Sequence, residues 1–358
     1  AAVLRIAERE VIAVYGRFGA EAAGSQPSLH HWSAPPTDPG LAPGVVAAEA
    51  VLAAPHARAT PFGAEQPQAL GAWSQDDATS AGMTIIAYGS LGGAELGFNS
   101  DLDLVFLYDG RRAQGESDGR RPLEGQRYYA RLAQRVVHLL DVPTRAGRLY
   151  EVDVRLRPDG SKGMLVLSLA AWEAYQRERA WTWELQALVR ARAVAGDARL
   201  ARRFGQLRYE LLARARSPGD VFAEVASMRA RWRAERDRSD AGRFDLKQGA
   251  GGLVDIEFLL QALVLTRASD HARLLATGNS ADLIVAATEA GVLPPEAARA
   301  LAAAHAALLG RAIRCTLDGR PRLVARSEVV EDAARAVLDV ARGLGLALEC
   351  SPSAATGP

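Results

Sequence analysis

The stretch MTIIAYGSLGGAELGFNSDLDLVFLY, from Met83 to Tyr108, decides the fold. Its two ends, Met83 to Tyr88 and Asp101 to Tyr108, are apolar runs with β-branched and aromatic residues, and both read as strands. A glycine-rich loop that opens with Gly89-Ser90 joins them. Side chains at i and i+2 of a strand share a face, so Asp101 and Asp103 project together while Leu102 and Leu104 enter the core. Adjacent carboxylates repel unless a proton or a cation neutralises them, and hard oxygen ligands suit Mg²⁺ held jointly with substrate phosphates. Taken alone, an Asp-x-Asp pair also fits a solvated strand face, and Gly92-Gly93 also fits an ordinary turn.

Context comes from downstream. Tyr129, Leu132, Ala133, Val136, Val137 and Leu140 form one helical stripe, which Pro143 ends. From Arg148 to Arg157, Tyr150, Val152, Val154 and Leu156 alternate with Glu151, Asp153, Arg155 and Arg157, which predicts a strand with one core face and one charged face. Asp153 is then a third carboxylate in the same sheet. Three carboxylates can hold two metal ions, one on a triphosphate and one that activates the attacking oxygen, and Asp153 is the natural acceptor of the attacking hydroxyl's proton. Backbone N–H groups at Gly89, Ser90, Gly92 and Gly93 and the Ser90 hydroxyl are the expected phosphate cradle. Arg155 and Arg157, on the Asp153 face, are candidates for phosphate oxygens and the departing pyrophosphate, with salt bridging to Glu151 and its neighbours as the other reading of both.

Working outward, the 358 residues allow two or three domains. Residues 1–80 read as a short helix over 2–18 followed by a Pro/Gly/Ala-rich linker or loosely ordered lobe, 81–168 as a catalytic domain, 169–350 as a helical bundle and 351–358 as a tail. The fold class is α+β, a small mixed sheet with packed helices followed by an all-α domain, with the cleft facing the bundle. The 43 Lys and Arg against 42 Asp and Glu, formally +1, speak against a nucleic-acid partner. Cys315 and Cys350 make no disulfide framework, and no apolar run is long enough to span a membrane, so a cytoplasmic location is expected. The six histidines lack metal-ligand spacing. Trp181 and Trp183 read as helix-packing residues, and the stretch from Arg229 to Arg238 as a solvated helix face. Asp255 and Glu257 lie about 200° apart on a helix that begins near Gly252, so they cannot pair as metal ligands, and Lys247 is a candidate substrate contact.

The Gly-Ser turn, the Asp-x-Asp pair and the distant third Asp resemble the DNA polymerase β type nucleotidyltransferase superfamily. More narrowly, Tyr88 to Asp109, GRLYEVDVRLRPDG (Gly147–Gly160), AWTWELQALVRARAVAGD (Ala180–Asp197) and FDLKQGAGGLVDIEF (Phe244–Phe258) resemble bacterial glutamine synthetase adenylyltransferases. That resemblance implies ATP as substrate, Mg²⁺, transfer of AMP to a tyrosine of glutamine synthetase, and control by a PII signalling protein and glutamine. The forms around Gly97–Asp109 and Arg157–Gly163 resemble the carboxy-terminal, adenylylating half of those two-unit enzymes. A phosphorolytic, deadenylylating half, another nucleotidyltransferase, and a silent module that binds PII or glutamine synthetase are the alternatives. Ser90 stands where the family usually has Lys, Leu185 replaces a usual His, and the stretch from Gly19 to Gly71 matches nothing in the resemblance.

Overall fold

The run Met83–Ala87 forms strand β1, with all five side chains buried, in a computed structural model that describes residues 2–15, 17, 82–145, 147–148 and 150–348. The Pro/Gly/Ala-rich stretch and the tail lie outside the described residues. β1 pairs antiparallel with β2 (Leu102–Tyr108) in a register that sets Met83 against Tyr108 and Ala87 against Leu104. The other edge of β2 is shared end to end by two short parallel strands, β3 (Val152–Asp153) and β4 (Val166–Ser168).

The two faces of this sheet follow from its alternation. Met83, Ile85, Leu102, Leu104 and Phe106 pack against α1 (Ala2–Tyr15) and the Tyr128, Tyr129, Leu132, Ala133, Val136 stripe of α3 (Gly125–Asp141); α2 is the single turn Gly89–Gly92. Ile86, Tyr88, Val105 and Leu107 face the opposite way, into the larger core built with the downstream helices. Asp103 shares parity with Val105 and Leu107, so its carboxylate belongs to the face that the helical region covers, and Asp101 lies just ahead of the strand.

That region comprises α4 (Leu169–Glu178), α5 (Thr182–Val189), α6 (Ala198–Leu212), α7 (Pro218–Arg236), α8 (Leu253–Arg267), α9 (Ser280–Glu289), α10 (Pro295–Leu317) and α11 (Glu328–Gly343). Side-chain caps start several of them: Ser168 accepts from Ala171 N, Asp197 from Arg199 N and Leu200 N, and Asn279 from Ala281 N. Helix α8 is buried along nearly its whole length and is the axis of the bundle.

Three expectations change. Residues Arg192–Gly196, read as part of the helical run, form strand β5, which pairs antiparallel with β1, so the sheet takes its fifth strand from beyond residue 168. Ala and Arg favour helices intrinsically, but here the open edge of β1 overrides that preference. Two further short strands, β6 (Arg243–Asp245) and β7 (Leu323–Ala325), pair within the helical region. The Arg-rich stretch is not wholly solvated either: Arg229 is fully buried and, with Arg233, pairs with the equally buried Asp255, whose Oδ2 also accepts from Gly251 N at 2.6 Å. Asp255 is therefore structural, as its place in the first turn of α8 suggests.

Candidate active site

The site forms where β1 ends. Tyr88 N donates to Asp103 O at 2.9 Å, which ties the start of the Gly-Ser turn to the strand that carries the carboxylates. Gly89 has φ +52°, and a Cβ there would sit 2.1 Å from Asp103 Oδ2, so only glycine permits the Asp103 carboxylate to lie across the turn. Asp101 is exposed just ahead of β2, while Asp103 is half-buried. The parallel register pairs Asp103 with Asp153, and Leu102 N donates to Glu151 O at 2.8 Å to fix it.

These carboxylates influence one another. The Asp103 carboxyl is pushed up to about 6, first by burial and then by Asp153 and Asp101, with Lys247 and Arg190 opposing. The exposed Lys247 thus stands in the electrostatic neighbourhood of Asp103. Asp153 moves the other way: the Arg155 side chain, bonded to it through Nε at 2.9 Å and Nη2 at 2.5 Å, holds it below the ordinary carboxylate range. Among the described residues no three His, Cys, Asp or Glu side chains already converge as ligands around one point. The donor set nevertheless suits a divalent cation, because it offers hard oxygens that repel one another and a half-buried carboxylate that no guanidinium among the described residues pairs with.

Strand β3 is shorter than the predicted Arg148–Arg157 strand, and the difference relocates both arginines. The chain leaves the sheet after Asp153, so Arg155 folds back onto that residue instead of extending along a shared face. Arg157 turns inward and donates to the carbonyls of Val154, Ser161 at 3.3 Å and Gly163 at 3.2 Å. In this structure its guanidinium is taken up by these three carbonyls and shapes the Arg155–Gly163 loop. Gly92 N and Gly93 N are likewise committed, to Tyr88 O and Gly89 O, which leaves the first amides of the turn and the Ser90 hydroxyl as its outward donors. Gly92 serves by close approach, since a Cβ would meet Arg190 O at 2.1 Å and Ala87 O at 2.7 Å.

The residues that the sequence reading missed are Arg190 and Arg192. Arg192 donates to Gly92 O and Leu91 O, both at 2.9 Å, and Arg190 Nε donates to Gly89 O at 3.1 Å. Two arginines spaced i and i+2 inside the apolar run from Leu188 to Ala195 were the available signal. Trp181, expected in packing, is 69% exposed and lines a cavity of about 350 Å³ with Lys162, Tyr175 and Trp183.

Two segments of the chain match known families. Residues 46–207 match the glutamate-ammonia ligase adenylyltransferase family, and residues 226–347 match GlnD PII-uridylyltransferase. A bifunctional glutamine synthetase adenylyltransferase/adenylyl-removing enzyme of Stenotrophomonas maltophilia is 58% identical over 264 residues, and one of Xanthomonas campestris is 60% identical over 259. The chain belongs to the glutamate-ammonia ligase adenylyltransferase family. A more distant member, from Nitrosococcus oceani, is 48% identical over 238 residues, 66% of this chain and 25% of the relative. The Stenotrophomonas alignment covers 74% of this chain and the Xanthomonas alignment 72%, and each spans 28% of the relative's own length. The adenylyltransferase match starts at residue 46, within the stretch that the sequence resemblance left uncovered. No helix among the described residues is long and apolar enough to cross a membrane.

Proposed function

We propose that this chain is an adenylylating unit that moves AMP from ATP to a tyrosine hydroxyl of glutamine synthetase, with pyrophosphate released. The observation that carries the reading is the Asp103–Asp153 register, with Asp101 alongside and the Gly89 backbone lying under the Asp103 carboxylate. Asp101, Asp103 and Asp153 would hold Mg²⁺, two ions in the full complex; bound cations would offset the triphosphate charge and lower the pKa of the attacking hydroxyl.

The remaining work falls to the chain. Ser90 and the first amides of the turn bind phosphate oxygens. The tyrosine oxygen attacks the α-phosphorus, the bond from that phosphorus to the bridging oxygen breaks, and pyrophosphate leaves with the electron pair. Arg155, whose side chain is 74% exposed, turns toward the leaving charge, and that movement frees Asp153 to accept the hydroxyl proton. Control by a PII signalling protein and by glutamine, and a cytoplasmic setting, belong to the same reading.

The test is incubation of the chain with glutamine synthetase, labelled ATP and Mg²⁺. Label should enter glutamine synthetase with the wild type and be absent with Asp101→Asn. Release of label from pre-adenylylated glutamine synthetase by phosphate, without forward labelling, would reverse the assignment to the deadenylylating half. Equal labelling by Asp101→Asn would overturn the carboxylate mechanism.

A further inference from the structure

Arg190 lies at the end of α5, immediately before β5, and is 6% exposed. A buried guanidinium is retained where its fork of donors is met, and each side of this fork meets a different part of the molecule. Nε donates to Gly89 O in the turn, Nη2 pairs with Glu95 just after the turn, and Nη1 pairs with Glu257 Oε1 of α8 at 3.0 Å. Glu95 in turn accepts from Ser280 N at 2.6 Å and from the Ser280 hydroxyl at 3.2 Å, at the start of α9. His305 of α10 stands within electrostatic reach of Glu95, Glu257 and Arg190.

Glycines confirm how tightly the parts meet. A Cβ on Gly93 would lie 2.7 Å from Arg190 Nε, and a Cβ on Gly278, in the loop before α9, would lie 2.9 Å from Arg190 Cα. Arg192, by contrast, holds the Leu91 and Gly92 carbonyls from within the sheet. The turn is thus anchored twice, once by its own sheet and once from the helical region.

We infer that Arg190 is a positioning residue through which helices α8 and α9 set the conformation of the Gly89–Gly93 turn, and with it the grip on a nucleoside triphosphate. The nucleotide part rests on the proposed function; the coupling of helix to turn does not. Glu257 is the suitable lever, because its side chain is 35% exposed and touches Arg190 rather than the turn.

The experiment is hydrogen–deuterium exchange of the full chain over a peptide spanning residues 88–97, in wild type, Glu257→Ala, Glu257→Gln and Arg190→Lys. Uptake there should rise in Glu257→Ala and Arg190→Lys and to a lesser degree in Glu257→Gln, with β1 and the body of α8 unchanged. Glu289→Ala, which breaks the exposed Arg273–Glu289 pair on the same helical region, should leave uptake at 88–97 as in wild type. In the transfer assay, Glu257→Ala should raise KM for ATP about tenfold with KM for glutamine synthetase unmoved. Unchanged exchange at 88–97, or a rise spread evenly over the chain, would overturn the inference. If Arg190→Lys does not fold, the Glu257 variants decide alone. Loss of transfer in the wild type would count against the proposed function, while exchange would still decide the coupling.

Discussion

Asp103 in the sheet and Asp255 at the foot of α8 are both carboxylates withdrawn from water, and the molecule treats them in opposite ways. Asp255 is fully buried and receives two guanidiniums and a backbone amide, so its charge is matched by protein alone. Asp103 is half-buried, has Asp153 and Asp101 as neighbours, and is pushed up to about 6 by burial and by them. A buried charge that the protein completes is architecture; one it leaves incomplete awaits something from outside. The contrast separates the part of the chain that holds shape from the part that binds.

The sharpest way to break the contrast is to neutralise each carboxylate in turn. Asp103→Asn should lower AMP transfer on the order of 10⁴-fold, equivalent to about 5.5 kcal/mol of barrier, with the circular dichroism spectrum retained. Asp255→Asn should instead destabilise the fold by about 3–5 kcal/mol in urea unfolding, because the buried Arg229 and the partly buried Arg233 lose their counter-charge. Similar melting curves for the two variants would erase the distinction.

A third outcome concerns pH in chelator-treated protein. The folded-state carboxyl of Asp103 lies at about 6, above its ordinary value of 3.8, so the folded chain binds a proton that the unfolded chain has lost. That contribution favours folding at low pH and is lost as pH rises through 6. Asp103→Asn removes the cost of ionisation, and should be more stable than wild type at pH 7.5 by about 1–3 kcal/mol, with the gap closing toward pH 4. Parallel unfolding curves at both pH values would show that Asp103 is not strained. Arg155→Ala gives the smallest effect: its pair with Asp153 is largely exposed on the arginine side, so the urea unfolding midpoint should barely move. Calorimetric titration with Mg²⁺ and ATP should show tighter metal binding in that variant if Arg155 competes for Asp153.

Much of this was legible in the sequence for a physical reason. The two central strands, the stripe of α3 and the start of α8 each carry a strong local period, and parity within β2 was enough to put Asp103 on the face of Val105 and Leu107. Other features depend on distant partners. Arg192–Gly196 has a helix-favouring composition and becomes a strand only because β1 offers an unpaired edge. The sequence placed Arg157 on a continuing strand; in the structure the chain turns after Asp153 and its guanidinium donates to three loop carbonyls. Arg190 sits in an Ala/Leu/Arg run where one arginine resembles another, and its importance comes from Glu95 and Glu257, which are remote in sequence.

Strand β5 also bears on how the protein is made. The Thr84 hydroxyl bonds to Ala195 O across 111 residues of chain, so a ribosome must deliver everything through Gly196 before the sheet can close. Until then β1 presents a bare hydrogen-bonding edge with apolar Ile85 and Ile86 behind it, the kind of edge that recruits strands from other chains. Any expression fragment cut at residue 168 would keep every carboxylate of the site and still carry that open edge into solution.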